Sequence, residues 1–384
     1  MISQKLRPFG TTIFAEMTKL AMEHDAINLA QGFPDFEGPA LMRDFAVAAI
    51  HGGDNQYARS QGHPRLVRAV ARDRERLGVG YDPMTEVAVT AGATEGIAAA
   101  LFGLLDPGDE VILIEPHYDS YPACLAMAGA TPKYLTLRFP DFALDPVALE
   151  ALVGPRTRAI LLNTPHNPTG KVFARSELEA IADLCRRKDL IVITDEVYER
   201  LVYDGARHES LAALPGMRER TLSLSSAGKT FSFTGWKIGW AVGPEPLIRG
   251  LQAAHQFLTF AVSTPMQIAV ARALETLDES FYASVVAEFT DRRDFLRDVL
   301  ERSGFRTAPC FGAYFLLADF SKLSMADDRS FAKMLTQEAG VAAIPPSVFY
   351  GGRPDEGRSL VRFAFCKRME TLKRAAERLG RLRR

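Results

Sequence analysis

Ala159-Ile160-Leu161-Leu162-Asn163, then Ser176 through Lys188, then Leu190-Ile191-Val192-Ile193-Thr194 read in order as strand, helix and strand. Each outer run is short, apolar and bounded by Pro, Asp or Asn, the pattern of a strand buried on both faces. Between them Leu178, Ile181, Ala182, Leu184 and Cys185 recur at helical spacing, and Ser176 is the expected cap. The alternation continues on both sides. Val87–Thr90, Glu110–Ile114, Lys133–Leu137, Thr221–Ser225 and Ile238–Val242 are further strand candidates, with helices expected over Glu95–Leu105 and Tyr118–Ala128. Seven such strands predict an α/β fold with a doubly wound, mostly parallel sheet.

Beyond about Thr264 the pattern changes. Helices are expected over Pro265–Leu277 and Glu279–Ser303, then strand Tyr314–Ala318, helix Ser330–Ala339, strand Ser359–Phe365 and helix Met369–Leu379. This predicts a large central domain, residues 46–280, and a smaller α+β domain, residues 281–384, joined by an N-terminal segment, residues 1–45.

Composition narrows the function classes. The 384 residues carry 46 Lys plus Arg against 47 Asp plus Glu, a balance without the basic footprint of a nucleic-acid or membrane-surface binder. Ile97–Leu105, broken by Gly103, is among the longest apolar runs and falls far short of a membrane span. The opening residues, Met1 to Pro8, lack the apolar core of a signal peptide, so a cytoplasmic protein is expected. Cys124, Cys185, Cys310 and Cys366 form no C-x-x-C pair, and the seven histidines show no metal-ligand spacing. No metal is expected.

In open α/β sheets, ligands bind beyond the carboxyl ends of the strands. Four predicted strands end in polar groups. Asn163 is followed by Thr164-Pro165-His166-Asn167-Pro168-Thr169-Gly170, and Thr194 by Asp195-Glu196-Val197-Tyr198. Ser225 is followed by Ser226-Ala227-Gly228-Lys229, and Thr90 by Ala91-Gly92-Ala93-Thr94 at a helix start. An amide, a carboxylate with a phenol, a hydroxyl with an amine, and a backbone anion site thus converge. Such a set suits an anionic cofactor with a heteroaromatic ring and an aldehyde. Lysine forms a Schiff base with a carbonyl, and a carboxylate keeps a facing pyridine nitrogen protonated. A phenol and an amide share the ring hydroxylate, while a helix N-terminus receives a phosphate. These requirements describe pyridoxal 5′-phosphate.

Gln31-Gly32-Phe33-Pro34-Asp35-Phe36, Asn55-Gln56-Tyr57, Asn167-Pro168-Thr169-Gly170, Thr194-Asp195-Glu196-Val197-Tyr198, Ser226-Ala227-Gly228-Lys229-Thr230, Thr234-Gly235-Trp236-Lys237-Ile238-Gly239 and Val361-Arg362-Phe363 occur in that order. Together they resemble the class I aminotransferases of the type I pyridoxal-phosphate fold over nearly the whole chain. Within that class, Gly10-Thr11-Thr12-Ile13-Phe14, Thr90 to Glu95, His255-Gln256 with Leu258-Thr259-Phe260, and Val341 to Pro345 look like the bacterial methionine aminotransferases, a group close to kynurenine aminotransferase and glutamine transaminase.

The resemblance implies that residues 46–280 bind the cofactor. It makes Lys229 the Schiff-base lysine and proton shuttle, and Asp195 the partner of the pyridine nitrogen. Asn167 and Tyr198 match the donors to the ring oxygen, with Asn163 nearby, and Tyr118 the aromatic stacked on the ring. Gly92, Ala93, Thr94, Ser226 and Lys237 match the phosphate shell, and Tyr57 a tyrosine that reaches the neighbouring subunit's phosphate. A homodimer with shared sites follows. Arg362 matches the clamp on the substrate α-carboxylate, with the Gly32 backbone beside it, while Phe14 and Phe260 match side-chain pocket positions. Read without the resemblance, Arg362 in an apolar strand requires a bound anion or an ion pair.

Three departures bear on substrate. Lys237 stands where many class I members have arginine, Thr94 where an aromatic is frequent, and Ala261 where kynurenine-using relatives have histidine. The expected activity is transfer of the α-amino group of methionine or aromatic amino acids to a 2-oxo acid. Kynurenine or glutamine transamination, or carbon–sulfur β-lysis, is the alternative.

Overall fold

A computed structural model describes residues 2–382. Its main sheet has seven strands: β1 (Val87–Thr90), β2 (Glu110–Glu115), β3 (Thr131–Thr136), β4 (Thr157–Asn163), β5 (Ile191–Asp195), β6 (Thr221–Ser226) and β7 (Gly239–Val242). Their spatial order is β1-β7-β6-β5-β4-β2-β3, with β7 antiparallel to both neighbours and the remaining pairs parallel. Every residue of β1, β2, β6 and β7 is buried, as expected of strands covered by helices on both faces. The aminotransferase-like expectation of a mostly parallel seven-stranded sheet holds.

Register decides what the sheet delivers. Asn163 sits opposite Asp195 at the carboxyl ends of β4 and β5. Gly239, the first residue of β7, pairs with Ser226 on one side and Thr90 on the other. The antiparallel β7 therefore starts where β1 and β6 end. This brings Lys237 to the same edge as the helix start after Thr90 and the lysine turn after Ser226.

A second group of strands sits beside this edge. Phe315–Asp319 pairs antiparallel with Leu360–Ala364, placing Leu317 opposite Arg362, and Arg306–Thr307 extends the sheet. Ile27–Asn28 runs parallel to Val341–Ala342, and the Ala364 N–H donates to Leu29 O at 2.7 Å. One apolar cluster includes Ile27, Leu29, Phe289, Phe315 and Phe363, so both ends of the sequence contribute to it.

Several helix boundaries differ from expectation, three of them at residues named above as site or cap positions. The helix expected from Glu95 spans Gly92–Leu104, so Gly92, Ala93 and Thr94 form its first turn rather than a preceding loop. The helix expected from Tyr118 spans Ser120–Ala128, leaving Tyr118 outside it. Ser176 lies inside the helix Arg175–Lys188, whose cap position is Ala174. There Glu177 Oε2 accepts the Ala174 N–H at 2.8 Å, supplying the partner that a serine cap would otherwise provide.

Candidate active site

Asn163 ties two strand-end loops together. Its Nδ2 donates to Asp195 O at 2.8 Å, and its Oδ1 accepts the Asn167 N–H at 2.7 Å. Asn167 Oδ1 in turn accepts from Arg362 Nη1 at 3.0 Å, linking the main sheet to the smaller one.

Asp195 is buried, and burial pushes its carboxyl above the usual range. Two hydrogen bonds oppose that shift: Tyr121 Oη donates to Oδ2 at 2.6 Å, and the Val197 N–H to Oδ1 at 3.3 Å. Tyr198, also buried, lies edge-on to Tyr314 with ring centroids 5.0 Å apart. Lys229 lies in the short helical turn Ala227–Thr230 directly after β6. Its Nζ donates to Tyr314 Oη at 2.8 Å and lies 3.4 Å from Gly32 O. Desolvation lowers its amine from 10.5 to about 8. The Lys229 side chain is half-buried on the wall of a cavity.

The helix Gly92–Leu104 presents its N-terminus to the same cavity. Gly92 has φ +75°, a conformation that favours glycine, and a Cβ there would lie 3.1 Å from Lys237 Nζ, so the lysine folds closely over this turn. Glu95 faces the other way. Its Oε2 accepts the Ala91 N–H at 2.9 Å and its Oε1 meets His255 Nδ1 at 2.9 Å.

Arg362 is 1% exposed, and burial lowers its guanidinium from 12.5 to about 10. Nη2 donates to Ala30 O at 2.9 Å, Nη1 to Asn167, and Nε has no partner. Phe315 lies 4.2 Å below the guanidinium and Phe14 5.2 Å away. Among the described residues the partners of Arg362 are neutral oxygens and aromatic faces, so the ion-pair reading of this buried charge lacks its carboxylate. An anionic ligand would supply it.

Below the site lies a buried charge network. Arg74 forks between Glu196 and Glu199, the neighbours of Asp195 and Tyr198 in sequence, with Nη1 2.5 Å from Glu199. Glu196 also accepts from Thr194, Ser210 and Ser223, and Glu199 from Ser225 and Arg76. Glu196, Glu199 and His208 offer ligand atoms within 4.8 Å of one another, but the Arg74 guanidinium already fills the place of a cation between the two carboxylates.

One cavity of about 350 Å³ gathers Phe14, Gly32, Gly92, Ala93, Thr94, Tyr118, Asn163, Asn167, Asp195, Tyr198, Ser226, Lys229, Lys237 and Arg362, all expected from the sequence. Tyr57 and Phe260 are not among its walls. They pack edge-on to each other, centroids 5.3 Å apart, and are 81% and 53% exposed. The sequence reading missed Tyr121, Tyr314, Phe315, Gln31 and Phe33, of which Tyr121, Phe315, Gln31 and Phe33 line the cavity and Tyr314 touches its lysine. The spacing of Tyr121 three residues after Tyr118 was the available signal for the first.

A family model for aminotransferase class I and II matches residues 24–379. The chain belongs to this family. The aminotransferase is 50% identical to a probable N-succinyldiaminopimelate aminotransferase of Mycobacterium tuberculosis, covering 99% of this chain and 98% of the relative. It is 43% identical to the methionine aminotransferase of Escherichia coli, covering 98% and 97%, and 40% identical to human kynurenine–oxoglutarate transaminase 3, covering 98% and 89%. The solved Mycobacterium tuberculosis N-succinyldiaminopimelate aminotransferase superposes over the full length of both chains with a TM-score of 0.96. Enzymes of this family depend on pyridoxal phosphate, and the donor set fits that group. A buried amine and a buried carboxylate share the cavity, and a glycine-opened helix start lies under a lysine.

Proposed function

We propose that the aminotransferase moves the α-amino group of amino acids with long uncharged side chains, methionine and the aromatic ones foremost, to a 2-oxo acid. When bound, pyridoxal phosphate supplies a carbonyl for Schiff-base chemistry and an electron sink for the carbanion at Cα. Lys229 provides the amine for that linkage and later carries the Cα proton, a task suited to an amine titrating near neutrality. Asp195 holds the pyridine nitrogen protonated. Asn167 and Tyr198 donate to the ring oxygen, and Tyr118 covers one ring face. Gly92, Ala93, Thr94, Ser226 and Lys237 receive the phosphate. Arg362 grips the α-carboxylate beside Gly32, fixing the Cα–H bond toward Lys229.

The charge inventory of the cavity carries the substrate reading. Its cations are Lys229, Lys237 and Arg362 among the described residues. Two are committed to the cofactor, and Arg362 retains one free Nε for one carboxylate. Phe14, Phe33, Tyr118 and Phe315 supply the remaining wall. A thioether or an aromatic ring suits such a wall, each sulfur–aromatic contact contributing roughly 0.3–1.5 kcal/mol. A second carboxylate would be desolvated without a partner, at a cost of several kcal/mol.

The 50% identity to the Mycobacterium tuberculosis proteins favours a second reading, N-succinyldiaminopimelate as donor. Catalytic efficiencies for methionine, phenylalanine, N-succinyldiaminopimelate and aspartate separate the two. Methionine well ahead of aspartate supports the uncharged pocket; N-succinyldiaminopimelate ahead of both replaces it.

The reading includes a homodimer in which Tyr57 reaches the neighbour's phosphate and Phe260 its side-chain pocket. Support comes from the exposed apolar group Tyr57, Phe257, Leu258 and Phe260, of which Phe257 is 87% exposed. Full activity from a monomer in sedimentation would refute shared sites. A cytoplasmic location also belongs to the reading, supported by four buried cysteines with no disulfide between them.

A further inference from the structure

Tyr314 is 1% exposed, and its ring is held on several sides by aromatic neighbours. Tyr198 meets it edge-on at 5.0 Å, Phe289 stacks at 6.1 Å with an 18° tilt, and Phe315 lies 4.8 Å away. The phenol therefore has one position. Its Oη donates to Gly32 O at 2.6 Å, which uses its only hydrogen. Toward Lys229 Nζ, 2.8 Å away, the phenol can then offer only a lone pair, so Lys229 donates to it. Gly32 O itself lies 3.4 Å from the same Nζ.

These bonds fix the orientation of an otherwise flexible amine. The two oxygens lie only 2.6 Å from each other, too close to take separate N–H groups of one tetrahedral nitrogen, so a single N–H of Lys229 faces the pair and the other two valences of the nitrogen are directed away from it. One of these two valences is a lone pair when the amine is neutral and an N–H when it is charged, the two forms a proton carrier alternates between. The same Gly32 backbone lies on the cavity wall, so one carbonyl joins the lysine to the loop Gln31–Phe33 near Arg362.

We propose that Tyr314 Oη and Gly32 O form the resting dock of the Lys229 amine, and that Tyr314 is a positioning residue holding the freed lysine ready for proton transfer. The inference rests on the reading of Lys229 as the proton carrier. Tyr314 acts through Lys229 and has no separate chemistry. Loss of its oxygen would leave the amine with the longer bond alone, free to rotate off the path to Cα.

The test compares Tyr314→Phe with wild type and with Tyr203→Phe. The control loses a neighbouring buried hydroxyl, the one donating to Ala313 O at 2.5 Å, far from the lysine amine in the bonding scheme. Competitive acetylation of Lys229 in cofactor-free protein, read by mass spectrometry across pH, reports the amine directly. Tyr314 accepts more strongly from an ammonium than from an amine, so its removal shifts the labelling midpoint down. Asp195, Cys366, Tyr198, Lys237 and Arg362, the other titratable groups around the amine, are unchanged in this variant. The expected result is a midpoint lower by at least half a pH unit. In the loaded enzyme kcat falls about tenfold, the scale of one lost hydrogen bond to a charged group, while KM stays within about twofold. An unchanged midpoint, an unchanged kcat, or the same shifts in Tyr203→Phe would overturn the dock. Incorporation of 3-fluorotyrosine at 314, nearly isosteric and a weaker acceptor, decides the matter if Tyr314→Phe does not fold: the midpoint must fall again, and an unmoved one refutes the proposal. Failure of the underlying reading has a different signature, cofactor still trapped by borohydride in Lys229→Ala.

Discussion

Tyr121 donates its phenolic hydrogen to Asp195 Oδ2 at 2.6 Å, across the interval between the helix Ser120–Ala128 and β5. Asp195 is thereby a carboxylate with one oxygen held from the side. Burial alone would favour its neutral form, which could not keep a pyridine nitrogen protonated. Tyr121 works against burial. Removing the hydroxyl in Tyr121→Phe should raise the Asp195 pKa, so the carboxylate is lost at a higher pH on acidification. The acid limb of kcat/KM should move upward by about one unit, and kcat at neutral pH should fall about tenfold. Superimposable pH profiles would remove Tyr121 from the mechanism.

Lys229 gives a prediction of opposite sign for stability and activity. Its folded-state amine titrates at about 8 against an ordinary 10.5. Below about pH 8 the folded and unfolded chains are both charged, and the fold carries the full desolvation cost. Between 8 and 10.5 the folded chain loses its proton first, and the cost shrinks to nothing. Cofactor-free Lys229→Met should therefore abolish transamination yet be more stable at pH 7, by on the order of 2 kcal/mol after allowing for the partial exposure of the side chain. The gain should fade by pH 10.5. Urea unfolding at the two pH values measures it, and a gain that grows with pH would contradict the burial account.

The Arg74 network predicts a different pH dependence. Burial pushes the Glu196 carboxyl up, but Arg74 overcomes it and holds the group well below the ordinary 4.5; Glu199 is lowered in the same way. Depressed carboxylates contribute stability above their unfolded pKa and lose it as pH falls through the folded value. Arg74→Met leaves Glu196 without its arginine and Glu199 with Arg76 alone, which costs about 3–5 kcal/mol at pH 7. The deficit should narrow toward pH 4, where the stranded carboxyls take up protons. Thermal unfolding of variant and wild type at both pH values tests this; a deficit independent of pH would mean that packing, not charge, is what Arg74 supplies.

The sheet and most of the site were legible because they depend on local pattern. Buried strands read as short apolar runs, and polar residues directly after them mark the binding edge, which identified Asn163, Asn167, Asp195, Tyr198, Ser226 and Lys229. Tyr121 and Tyr314 were hidden for the opposite reason. Each lies in an apolar stretch where an aromatic is read as core, and both are indeed packed in core clusters. The roles proposed for them depend on where one oxygen points. For Tyr314 that direction is set by a contact 85 residues away in sequence, beyond the reach of periodicity. Ser176 shows a smaller version of the same limit: a plausible cap residue lost the position to Ala174 because Glu177 could satisfy the backbone from inside the helix.

Arg362→Lys tests whether the proposed grip of Arg362 on the substrate depends on geometry or on charge. A lysine keeps the positive charge but offers a rotating ammonium in place of a planar fork. It would also give up contacts that the guanidinium makes at once, Nη1 to Asn167, Nη2 to Ala30 and the face packed over Phe315. If Arg362 only attracts the α-carboxylate, Arg362→Lys should bind donors nearly as well and turn them over at nearly the same rate. If it sets the plane of the carboxylate, and through it the direction of the Cα–H bond, kcat/KM should fall about a hundredfold or more, on the scale of a misplaced reacting bond. We expect the larger loss. Because every donor shares the α-carboxylate, methionine and phenylalanine should suffer equally, and the ratio of their efficiencies should stay at the wild-type value. A ratio that changes several-fold would mean that Arg362 also contacts the side chain, and the aromatic wall of Phe14 and Phe315 would no longer be sufficient to explain donor choice.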